Sequence, residues 1–110
     1  MSARIQRENQ TFGPVALTAA AATSARIPYG TMAGGLIFVT AVSGAASINW
    51  YVASDGNTTP VPLADAAGNA VSTPIVAGKS YEFPGSLYGA QVVCPVLNAG
   101  TATAVINLKA

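Results

Sequence analysis

The chain reads as one all-β domain, an antiparallel β-sandwich of jelly-roll-like form, and three observations lead there. Turn punctuation is dense: 11 glycines and 7 prolines are spread along 110 residues. No uninterrupted amphipathic helix of three turns fits between them. The intervals are short runs rich in Val, Ile, Phe, Trp and Tyr, with turn signals every ~8–12 residues, the pattern of sandwiches and barrels. About seven to nine strands fit in this length.

Taken in order, residues 1–11 are polar and hold Arg4, Arg7 and Glu8, so an extended arm is expected. Residues 12–18 (FGPVALT) form a first strand, with Pro14 suiting a sheet edge. The alanines at 19–22 are too few to hold a helix unaided. The organisation is therefore an arm and first edge strand over 1–22, followed by a sandwich domain over 23–110. Residues 25–29 make a short strand. The centre of the chain is 34–56, where 36–42 and 47–53 are apolar runs of strand length separated by Ser43-Gly44-Ala45-Ala46. Those small residues predict a β-hairpin. Alternation puts Ile48, Trp50 and Val52 on one face, and Trp50, the only tryptophan, is expected to anchor the core.

Residues 60–64 (PVPLA) are at most an edge strand, since two prolines remove ladder donors. Asp65-Ala66-Ala67-Gly68-Asn69 has the chemistry of a hairpin turn. A strand interrupted at Pro74 leads to the turn Ala77-Gly78-Lys79. Residues 80–83 (SYEF) then alternate, with Tyr81 and Phe83 on one side, and 84–89 is a loop. The last two strands, 90–97 and 102–109, flank Asn98-Ala99-Gly100-Thr101, which predicts a second hairpin. In the final strand Ala104, Ile106 and Leu108 point one way, and Thr103, Val105 and Asn107 the other.

Charge is the most informative number. Charged residues are 8% of the chain, against about 25% in an ordinary soluble domain. Ile37, Val39, Tyr51, Val93, Leu97 and Val105 look like an outward face that is apolar as well. Monomers blunt exposed sheets with Lys and Glu, and here almost none are supplied. The expectation is a homo-oligomer whose neighbours cover it. The net charge of +1 gives no field to attract nucleic acid or acidic membranes. Residues 32–48, the longest weakly polar window, are too short and too interrupted by glycine for a membrane span. The N-terminus lacks an apolar h-region, so no secretory signal is expected. Without one, the sequons at Asn9 and Asn57 carry little weight.

No catalytic chemistry is assembled. The chain has no histidine and one cysteine, which removes zinc sites, Ser-His-Asp relays and internal disulfides. Cys94 reads as a small buried hydrophobe. The four carboxylates are Glu8, Asp55, Asp65 and Glu82. Both aspartates sit at glycine-containing turns, where Asp is favoured for its backbone hydrogen bonds. Asp55-Gly56-Asn57-Thr58 is a fragment of a calcium loop without its spacing. Lys79 and Ser80 are adjacent strand residues and point to opposite faces. Ala77-Gly78-Lys79-Ser80 echoes the end of a phosphate loop, but Thr73 stands where the upstream glycine belongs. The reading is non-enzymatic, with no cofactor and no metal. Sugar binding is the second reading, with Tyr51 or Tyr88 as a stacking platform.

Several runs carry a family likeness. They are Thr23-Ser24-Ala25-Arg26-Ile27-Pro28-Tyr29-Gly30, Gly34-Gly35, Trp50-Tyr51, and the stretch 76–84 (VAGKSYEFP) leading to Leu87-Tyr88-Gly89-Ala90. From residue 23 onward the chain resembles small all-β structural proteins of tailed-phage virions, in particular capsid decoration (cement) and minor capsid proteins. The resemblance implies a virion protein made in the host cytoplasm. It implies many copies clamped onto a shell of major capsid protein, often as trimers or through an N-terminal arm. The alternative class is a carbohydrate- or ligand-binding sandwich module for host-surface adhesion.

Overall fold

A computed structural model describes residues 9–20, 24–30, 32, 34–44, 47–54, 59–85, 87 and 90–109. Nine strands lie among them: β1 (Asn9–Thr18), β2 (Ile27–Pro28), β3 (Gly34–Ser43), β4 (Ser47–Ala53), β5 (Val61–Pro62), β6 (Ser72–Pro74), β7 (Lys79–Glu82), β8 (Val92–Leu97) and β9 (Thr101–Lys109). They form two sheets. Sheet A has the order β1-β9-β3-β7, and sheet B the order β2-β8-β4-β5, with β6 also paired to β4.

All pairings are antiparallel, and they have a simple logic. β1 pairs with β9, β2 with β8, β3 with β7 and β4 with β5. The first strand thus meets the last, the second the second-to-last, and so inward. This is one long antiparallel ribbon rolled up, a jelly roll, with β6 as an addition on the β4 edge. Contacts between β9 and β3 and between β8 and β4 join the turns of the roll into sheets.

Rolling the ribbon overturns both predicted hairpins. β3 lies in sheet A and β4 in sheet B, and β8 and β9 are divided the same way. The chain therefore crosses from sheet to sheet after Gly44 and again over 98–100, as two arches. Packed sheets lie ~10 Å apart, and about four extended residues reach that far, so loop length fits either geometry. The two arches lie against each other. The Ser47 amide donates to the Asn98 side-chain oxygen at 3.0 Å, and the Asn98 amide donates to the Ser47 carbonyl at 3.1 Å. Gly44 and Gly100 both have positive φ, of 75° and 69°. A Cβ on Gly100 would run into the Ser43 carbonyl and the Gly44 backbone.

The core sits between the sheets. β9 contributes Ala102, Ala104, Ile106 and Leu108, β3 contributes Ile37 and Val39, and β1 contributes Leu17. From sheet B come Ile27, Ile48, Trp50, Val93 and Leu97. Trp50 is 1% exposed, as expected of an anchor. Its ring packs on Phe83 at 5.0 Å between centroids, and Phe83 in turn stacks on Tyr29 at 5.6 Å. The indole N–H donates to the Thr73 hydroxyl at 2.9 Å. That bond settles the one polar atom of a ring otherwise well suited to an apolar interior.

Four of the residues assigned to an outward face belong instead to this core: Ile37, Val39, Val93 and Leu97. Side chains alternate with period two, so a one-residue error of frame turns a whole strand inside out. Both frames looked apolar in β3 and β8, which left the alternation without a marker. β8 is buried along its full length. β1 begins at Asn9 and pairs Asn9, Gln10 and Thr11 with Lys109, Leu108 and Asn107, so residues expected in the arm are strand.

Candidate interaction surface

Sheet A has one face on the core and one face open, and its register fixes the composition of the open face. Directly paired residues share a face. One row across the sheet is Thr11, Asn107, Leu36, Glu82, and the next continues Val105, Phe38, Ser80. Beyond these come Ala16, Thr103 and Ala41, then Thr18, Thr101 and Ser43. A bulge in β3 between Val39 and Ala41 resets the pairing, and Thr40 is exposed beside it. Lys109 closes the other end, on β9 opposite Gly34.

This surface is nearly free of charge. Among the described residues its outward-pointing charges are Glu82 and Lys109, both at the same end, and exposed Lys79 stands at its β7 edge. Between them and the arches lie Thr, Ala, Ser, Val, Leu and Phe. Leu36 is 39% exposed, while Phe38 and Val105, side by side in the middle, are half-buried. Several polar groups are already satisfied within the face. The Thr11 hydroxyl donates to the Asn107 side-chain oxygen at 2.9 Å, and the Thr40 hydroxyl donates to the Thr103 carbonyl at 3.1 Å. Covering such groups costs less than covering hydroxyls that depend on water. A shallow groove of about 420 Å³ runs between β3 and β7, lined by Phe38, Thr40, Gly78, Lys79 and Ser80.

The residues weighed for chemistry do not converge. Asp65 caps its turn: one carboxylate oxygen accepts from the Ala67 and Asn69 amides, each at 2.9 Å. Glu82 stands on the edge strand β7. Glu8 and the 55–58 segment lie outside the described residues, as does Tyr88. Among the described residues no three of His, Cys, Asp and Glu come together as metal ligands. Lys79 pairs with Val39 and Ser80 with Phe38, so they occupy opposite faces. Tyr51 is half-buried on the outer side of sheet B, across from Cys94.

Cys94 is fully buried and in no disulfide. Its thiol lies 3.9 Å from the Ser24 carbonyl, where the chain before β2 crosses the outer side of sheet B. Burial pushes the thiol pKa up, and the Arg26 guanidinium opposes that only in part. The Ser24 hydroxyl donates to the Pro95 carbonyl and accepts from the Thr18 amide. This buried polar cluster ties the β1–β2 connection to β8. Sequence reading named the Ser24 run only as part of a likeness. The open face of sheet A went unnamed as well, because its location depends on pairing β1 with β9.

No protein-family model and no curated protein matches the chain. Among solved structures, the crystal structure of SPBc2 prophage-derived protein YomS is similar over 100% of both chains, with a TM-score of 0.57 and 13% sequence identity. At that identity the likeness concerns the fold. The similarity runs over both chains from end to end.

Proposed function

We propose that the chain is a non-enzymatic structural subunit of a phage particle, of the capsid decoration or cement kind. Its partners are other copies of itself and the major capsid protein, and its location is the virion. The observation that carries the reading is the charge-poor open face of sheet A, a surface suited to burial by another protein. The full-length likeness to a prophage-derived protein supports the phage setting. Stabilisation of a shell by such a subunit is mass action: whatever binds the assembled state adds to its stability.

Jelly rolls serve as viral capsid domains and also as lectins, so the fold alone favours neither. Of the two tyrosines weighed as a stacking platform, Tyr51 is half-buried and Tyr88 lies outside the described residues. The test is co-expression with the major capsid protein of the genome that encodes the chain. The chain is expected to co-sediment with assembled shells in fixed stoichiometry, and shells made without it to open at lower temperature. Shells that never carry the chain, and are equally heat-resistant without it, overturn the reading.

A further inference from the structure

We infer that the open face of sheet A is covered by the same face of a second copy, the two sheets stacking about a two-fold axis that runs along the strands between β3 and β9. The inference rests on the reading of that face as a buried assembly surface and adds the identity of the occupant.

Area comes first. Three strands of nine or ten residues and the four-residue β7, at ~3.4 Å per residue and ~4.8 Å spacing, give a face of roughly 540 Å² per copy. The pair buries at most roughly 1,100 Å², at the ~1,000 Å² mark of a specific interface. Stacked sheets pack ~10 Å apart with strands within about 30° of each other, a spacing that the Thr, Ser and Ala rows of this face and its central Phe38 and Val105 can fill.

Complementarity then selects the axis. Rotation about a line between β3 and β9 lays β9 of one copy over β3 of the other and keeps each row in register. Val105 then faces the partner copy's Phe38, and Phe38 faces the partner copy's Val105, in the middle of the interface. Thr103 meets Ala41, and Asn107 meets Leu36. At the charged end Lys109 comes over Gly34, which has open space beyond its Cα. There it lies about one strand spacing and one two-residue step from the partner copy's Glu82. Symmetry makes that ion pair twice. A two-fold perpendicular to the strands reverses the rows and puts Lys109 at the end away from the partner copy's Glu82. A face matched to itself also defines a two-fold pair, not the three-fold arrangement that the virion resemblance implies.

The experiment is light scattering after size exclusion, with dissociation constants from sedimentation, on the full chain and four variants. The wild type is expected as a dimer, and Val105→Arg and Phe38→Glu as folded monomers with native circular dichroism. Lys109→Glu sets like charges against each other at two places and is expected to raise the dissociation constant roughly tenfold. Lys109→Glu combined with Glu82→Lys restores it to within about threefold. A wild type monomeric at ~100 μM overturns the inference. So does an oligomer indifferent to Val105→Arg and Phe38→Glu, or a double charge reversal without rescue. A monomer that still binds shells, and loses them on Val105→Arg, overturns the second-copy occupant while leaving the assembly reading intact. A charge-rescued dimer that never joins shells supports the inference and overturns the virion reading instead.

Discussion

At the scale of single residues, Trp50 and Cys94 show two ways of filling a core that has no cross-links. Trp50 supplies volume, and its indole N–H is settled on Thr73. Trp50→Ala is expected to cost about 3–5 kcal/mol, as large aromatic truncations in packed cores do. Equilibrium denaturation in urea measures it, and a midpoint unchanged from wild type contradicts the anchoring role. Cys94 supplies a small neutral group where a thiolate is unwelcome. Its folded pKa is raised by burial, so the unfolded chain loses the proton first. The resulting stability is complete below the unfolded thiol pKa of about 8.5 and declines as pH rises from there through the folded pKa. Tyr29, also raised by burial, adds a similar decline above about pH 10. Cys94→Ala is expected to delay the onset of alkaline destabilisation to the tyrosine range, and thermal melts from pH 7 to 11 read this directly.

At the scale of elements, local chemistry was legible and partnership was not. The turn at Asp65–Asn69, the edge positions of the proline-bearing β1 and β5, and the alternation of β9 all follow from residue type and spacing. Each is decided within about ten residues. The pairing of β1 with β9 joins the two ends of the chain, and nothing near residue 12 encodes it. The two predicted hairpins illustrate the limit. Small residues and glycine at 43–46 and 98–101 reverse the chain in either geometry, and whether the next strand pairs or crosses depends on the rest of the roll. Gly100 marks the outcome. Gly100→Ala puts a methyl group into the neighbouring arch at positive φ and is expected to lower stability by more than about 1 kcal/mol. An unchanged melting temperature argues against stacked arches. Truncation probes the other end of the ribbon. Removal of residues 1–8 leaves β1 whole and is expected to preserve cooperative unfolding. Removal of 1–18 strips an edge from sheet A, takes Leu17 from the core, and is expected to abolish it.

At the scale of the molecule, low charge and sheet geometry meet in one place. A protein with 8% charged residues has few means of keeping a sheet face in water, and the roll leaves the outer side of sheet A open with Glu82 and Lys109 at one end of it. The sequence already indicated a shortage of charge. It did not indicate where the shortage falls, because the frame of β3 decides whether Leu36 and Phe38 or Ile37 and Val39 face outward. Sedimentation equilibrium of the purified chain from ~1 to ~100 μM tests this account most directly. A single species at twice the 11.0 kDa chain mass is the predicted result. A soluble monomer across the whole range would contradict it.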